Sequence, residues 1–203
     1  MSTVLPAPDK DQIALLAPFE QIGARQITLV ATAQQAVRAV AAMQPFAVLG
    51  FDTESKPTFV RDEVSSGPHI VQFSTLDHAY IFQLHDLECS ALLAEFLHQH
   101  GGAKVGFGLG DDTRRIAAKL GVQVNGVIDL NHVFRHRGYR KDMGVKAAVA
   151  LLFNKRFLKS KKAATSNWAN PQLTPTQLSY AANDAYAAMR VFEALQVQTS
   201  DLL

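Results

Sequence analysis

Hydrophobic positions change register along this chain, from short apolar runs near the start to helical spacings near the end. Runs at 26–30, 46–51, 70–74 and 79–82, rich in β-branched and aromatic residues, predict strands. Between the first two, Thr32 caps a helix over 33–43 that carries Val37 and Val40. The turn Thr75-Leu-Asp-His78 joins the last two into an antiparallel hairpin, so the first three strands are expected to meander. Leu92, Leu93, Phe96 and Leu97 mark a helix over 89–100, ended by Gly101-Gly102. Strands at 104–107 and 127–130 then alternate with a helix at 112–120, and the remainder reads as helices at 131–137, 145–153 and 175 to about 195. The last opens on Thr174-Pro175-Thr176-Gln177, with a threonine cap, proline in the first turn and glutamine three residues after the cap. Residues 1–26, with Pro6, Pro8, Pro18 and an apolar patch at 13–16, read as an arm packed on a single α/β domain over 27–203.

Composition fits one such domain: 203 residues, 48% hydrophobic and 19% charged. Cys89 is the only cysteine, which excludes an internal disulfide and any cysteine-based zinc cluster and suits a reducing compartment. The start lacks a basic segment followed by an apolar core, and no apolar run approaches membrane-spanning length, so a cytoplasmic protein without membrane contact is expected. A net charge of +2 says little about partners, but its distribution says more. Arg135, Arg137, Arg140, Lys141, Lys146, Lys155, Arg156, Lys159, Lys161 and Lys162 crowd a stretch with a single acid, Asp142. That is either a phosphate-facing surface or a solvated basic helical face.

The candidate chemistry lies in acids. Strand 46–51 leads into Asp52-Thr53-Glu54, and alternation places both carboxylates on one face. Like charges held beside an apolar core call for a cation, and oxygen donors suit Mg2+ or Mn2+. Tyr180 and Asp184, four residues apart in the last helix, share a face, and Asp111-Asp112 opens the helix after strand 104–107. Each is weak alone: a tyrosine over an aspartate is ordinary, and acids are common at helix amino termini. Together they can bring Asp52, Glu54, Asp112 and Asp184 around one cavity with Tyr180 at its rim. Two divalent ions about 4 Å apart would neutralise such a set and serve in-line phosphoryl displacement, with the tyrosine hydroxyl orienting the attacking water.

With these motifs in order, Phe51-Asp52-Thr53-Glu54, Val105 through Asp112 and Tyr180-Ala-Ala-Asn-Asp184, the chain resembles the DEDD 3′-5′ exonucleases. The likeness is to the tyrosine-containing subgroup that includes ribonuclease D and the Werner-syndrome exonuclease. It runs over roughly 27–195 and includes Ser166-Asn167-Trp168. The resemblance implies a ribonuclease H-like mixed sheet, three antiparallel strands followed by parallel strands with flanking helices. It also implies two-metal hydrolysis of DNA or RNA from a free 3′ end, releasing 5′-mononucleotides. Asp52, Glu54 and Asp184 would hold one ion, Asp52 would bridge to the second, Asp112 would support that one, and Tyr180 would position the nucleophile. Asp112 is taken over Asp111 by aligning Gly106-Phe-Gly108. Thr53, Ser55 and Phe59 are the candidate substrate contacts. Phe59 stands in for the bulky apolar residue that wedges the terminal base in the family, where this chain has Thr58, and it can equally be a core aromatic.

Other readings carry less. Gly106-Phe-Gly108-Leu-Gly110 fails the dinucleotide fingerprint, because Asp111 stands at the third glycine and puts negative charge where a pyrophosphate would dock. His132 and His136 have zinc-compatible spacing without the glutamate of a zinc hydrolase. Trp168 reads as a packed anchor more readily than a nucleic-acid contact. A catalytically inactive nucleic-acid-binding module of the same fold is the alternative function; such relatives usually lose an acid, and none is missing here.

Overall fold

The computed structural model describes residues 5–58, 66–139 and 141–195. Its frame is a six-stranded sheet built from β1 (Ile27–Val30), β2 (Val48–Glu54), β3 (Ile70–Ser74), β4 (Ala79–Gln83), β5 (Ala103–Gly106) and β6 (Val127–Asp129), in the order β1-β4-β3-β2-β5-β6. The antiparallel meander is β2-β3-β4, with β5 and β6 added in parallel beside β2. The first three strands in chain order do not form it: β1 pairs parallel with β4 at the far edge, because helix α2 (Ala33–Met43) carries the chain away before β2 begins.

Helices cover both faces. On one lie α2, α3 (Leu87–Gln99) and α4 (Gly110–Leu120), whose Ala36, Met43, Leu93, Phe96 and Ile116 pack on Leu49, Phe51, Val71 and Phe73. In α2 the inward face is Ala36, Ala39 and Met43 with Val40 half-buried beside them, while Val37 points out, 55% exposed. On the other face lie α5 (Leu130–His136), α6 (Gly144–Phe153), α7 (Lys161–Ala164) and α8 (Pro175–Ala194), packed on Ile70, Ile81, Val105 and Ile128. The result is the ribonuclease H-like mixed sheet with helices on both sides.

The amino-terminal segment holds a short helix, α1 (Lys10–Leu15), with no buried residue. Its anchors are not the apolar patch at 13–16, since Leu15 is 88% exposed, but Phe19 and Ile22. Phe19 packs against Phe153, Phe157 and Tyr186, and the Ile22 amide donates to the Asn183 side chain at 2.9 Å.

The strand that carries the acids is longer than its apolar run suggests. β2 starts at Val48 and continues through Glu54, because pairing with β3 extends to Asp52 opposite Gln72 and Glu54 opposite Ile70. Leu49 and Phe51 face α2 and α3, so Gly50, Asp52 and Glu54 face α8. Gly50 decides how near α8 can come. A Cβ there would run into the Ala185 carbonyl and touch Met189, so only glycine lets the helix lie this close to β2. That contact sets Asp184, the residue before Ala185, beside the acid pair.

Candidate active site

Strand and helix converge on one cluster. Carboxylate oxygens of Asp52, Glu54 and Asp184 lie within 4.8 Å of one another, the first two partly buried and the third buried. Asp52 is further fixed by the Thr53 amide, which donates to its Oδ1 at 2.9 Å. Tyr180, one turn before Asp184 on α8, is buried against Trp168, with ring centroids 5.8 Å apart.

Such crowding is costly without positive charge. Burial, then the charges of Asp184 and Asp112, raise Asp52 well above the usual carboxylate range. Glu54 is pushed up to about 9 by burial and then by Asp52 and Asp184. Burial also raises Asp184, opposed by Lys159, whose ammonium stands 2.7 Å from Asp184 Oδ2. Burial alone would lower Lys159, but Asp184 and Asp52 outweigh it and hold the ammonium above its ordinary value. The same ammonium lies 5.1 Å from the Tyr180 ring centre, and burial together with Asp184 raises the Tyr180 phenol.

The adjacent acids Asp111 and Asp112 part company. Asp112 accepts a hydrogen bond from the Thr53 hydroxyl and adds its field to Asp52 and Glu54, whereas Asp111 is exposed and paired with Arg114. Asp112 stands beside the trio rather than within it. Its helix is aimed from below by Asp129, whose carboxylate accepts from the Gly108 and Leu109 amides at 3.1 Å each and from Asn131 at 2.9 Å. Gly108 takes a positive φ of 72° at that turn, so Asp129 caps α5 and also grips the loop into α4.

Of the candidate substrate contacts, Thr53 directs its hydroxyl to Asp112, and Ser55 accepts from Arg115 at 3.4 Å. Phe59 lies outside the described residues. Trp168 is 1% exposed and is a packed anchor, while His132 and His136 are exposed on α5. The basic stretch is partly consumed by the fold: Arg135 pairs with Asp142, Arg137 donates to the Leu195 carbonyl, Arg156 to the Ala14 carbonyl, and Lys159 turns inward. Lys141, Lys146, Lys155, Lys161 and Lys162 remain exposed, Arg140 lies outside the described residues, and Lys146 is near enough to act on Asp184. Spacing did not reveal Lys159, which reads as one more surface lysine; Gln72, which the strand pattern can turn to the cleft but does not assign to the site, is fully buried across from Asp52.

Three acids with facing oxygens, on a strand and a helix locked together at Gly50, have the donor chemistry for a divalent cation of the hard, oxygen-seeking kind.

A family model described as 3′-5′ exonuclease matches residues 26–200. The chain is 26% identical over 171 residues to a putative 3′-5′ exonuclease of Acanthamoeba polyphaga mimivirus, covering 76% of this chain and 41% of that protein. It is 28% identical over 153 residues to a 3′-5′ exonuclease of Arabidopsis thaliana, covering 74% of this chain and 53% of that protein. The chain thus spans about half, or less, of the length of these relatives. Among solved structures, the Nibbler EXO domain of Aedes aegypti superposes with a TM-score of 0.72 at 20% identity, covering 91% of this chain and 97% of that one. Trypanosoma brucei RNase D in complex with RNA U12 gives 0.74 at 18% identity, covering 93% and 65%. At these identities the structural likeness is one of fold.

Proposed function

The chain belongs to the 3′-5′ exonuclease family, and from that premise we propose that it hydrolyses nucleic-acid strands from a free 3′ end, releasing 5′-mononucleotides. The observation that carries the proposal is the convergence of Asp52, Glu54 and Asp184. These three would hold one Mg2+ or Mn2+ ion. A second would be bridged by Asp52 and supported by Asp112, which Thr53 orients. Bound divalent ions supply acidification of a water and stabilisation of the departing 3′ oxygen. The raised Tyr180 phenol stays protonated at neutral pH, so its O–H can fix the orientation of the attacking water. Exposed Lys141, Lys146, Lys155, Lys161 and Lys162 would meet the phosphate backbone without reading bases. Trypanosoma brucei RNase D, a neighbour in fold, was solved in complex with RNA, which agrees with a nucleic-acid strand as the partner, and both DNA and RNA fit the chemistry. The inactive binding module is disfavoured because the sequence retains every acid of the set.

Oligonucleotides of DNA and of RNA, labelled at either end, test this. With Mg2+ or Mn2+ the 5′-labelled strand should shorten progressively while the 3′ label leaves at once as a mononucleotide, and chelator should stop both. Shortening from the 5′ end, or no cleavage with either metal on either strand, would overturn the proposal.

A further inference from the structure

A positively charged side chain already sits inside the cluster that the proposed function assigns to metal. The Lys159 ammonium is 2.7 Å from Asp184 Oδ2, on a side chain 29% exposed. Its backbone is held on both sides. Phe157 is buried against Phe19, with ring centroids 6.4 Å apart, and Ser160 caps α7 by accepting from the Ala163 amide at 3.2 Å. The chain therefore points the lysine inward, on a long aliphatic stem with several rotatable bonds. Beside it opens a cavity of about 640 Å3 lined by Gln21, Leu158, Lys159, Ser160, Tyr180 and Asn183.

We propose that Lys159 is an exchangeable counter-ion of the site: it neutralises Asp184 in the metal-free protein and is driven into the adjoining cavity when a divalent ion binds. This rests on the reading of the acids as metal ligands. A dication and an ammonium drawn to one carboxylate repel each other at contact distance, and the dication gains more from three carboxylates than a single ammonium does. The side-chain type fits the exchange. Lysine is a point charge on a flexible stem, whereas the planar fork of arginine would clamp the carboxylate in two-pronged fashion. The cavity gives the displaced ammonium a place beside the Tyr180 ring, over which it already lies at 5.1 Å, so it need not cross apolar core.

The test is calorimetric titration of Mn2+ into the wild-type chain, Lys159→Met and Lys159→Arg, with thermal melts in chelator. Lys159→Met should bind Mn2+ about tenfold more tightly, the equivalent of roughly 1.4 kcal/mol, and melt lower than wild type when metal-free. Lys159→Arg should keep the metal-free stability and gain no affinity. Equal or weaker binding by Lys159→Met would overturn this inference alone, whereas no Mn2+ binding by any of the three would overturn it together with the metal-site reading. The wild-type chain supplies a readout that does not depend on a variant folding. The Lys159 15Nζ resonance, assigned by its loss in Lys159→Arg, should shift as Mg2+ saturates the protein, and an unmoved resonance at saturation would overturn the exchange.

Discussion

Asp52→Asn is expected to remove on the order of 10³-fold or more of the strand-shortening rate while leaving a folded protein. The magnitude follows from the several kcal/mol that metal-ion stabilisation contributes to such a reaction, at about 1.4 kcal/mol per factor of ten. Asp52 is the acid whose loss should matter most, because it stands between Asp184 on α8 and the Asp112 side of the cluster and feels the charge of both. Asparagine preserves the volume and the acceptor for the Thr53 amide, so the β2-β3 pairing should survive. It also removes one of several crowded acids whose ionisation burial and the others oppose. The metal-free variant should therefore melt no lower than the metal-free wild type, a combination that a merely structural aspartate would not show. Initial rates on end-labelled strands and melts in chelator check both halves. A variant of wild-type rate, or one that is inactive only because it is unfolded, would contradict the assignment.

The metal-free protein is expected to lose stability as pH rises from about 5.5 to 8.5, and saturating Mg2+ or Mn2+ should abolish that loss. The sign follows from the raised carboxyls. Glu54 titrates near 9 in the folded chain against an ordinary 4.5, so the native state retains a proton that the unfolded state has released. Stability then falls with pH across that window by up to about 1.4 kcal/mol per pH unit per proton, a swing of a few kcal/mol for Glu54 alone. Asp52 and Asp184, both raised, act in the same direction. Lys159 acts oppositely but outside the window: its raised value contributes stability present below the ordinary lysine range and lost only at higher pH. Divalent ions bind the deprotonated carboxylates, so their stabilisation grows with pH and offsets the loss. Chemical denaturation at several pH values, with chelator and with metal, measures both curves. A flat curve in chelator would mean that the acids are not crowded as described.

The parts of the site legible in sequence are those set by local geometry. Alternation puts Asp52 and Glu54 on one face, and helical spacing stacks Tyr180 on Asp184; the structure shows both arrangements. What spacing did not supply depends on contacts between distant segments. The close seating of α8 on Gly50 is one, and so is the extension of β2 through Glu54, which β3 supports rather than the run at 46–51. The parallel placement of β1 beside β4 follows from where α2 returns the chain. Lys159 is the clearest instance. Among ten basic residues in one stretch nothing marks it, and only the anchors at Phe157 and Ser160 turn it toward Asp184. Asp111 and Asp112 are separated by helix phase, which motif alignment anticipates but which depends on the Asp129 grip at Gly108.

Crystals soaked in Mn2+ and measured at the manganese absorption edge would locate the metal without reference to activity. The expected result is an anomalous peak within coordinating distance of carboxylate oxygens from Asp52, Glu54 and Asp184 together, absent in Asp52→Asn. Crystals that take up Mn2+ elsewhere, with these three carboxylates bound to none, would contradict the assignment of this cluster as the hydrolytic centre.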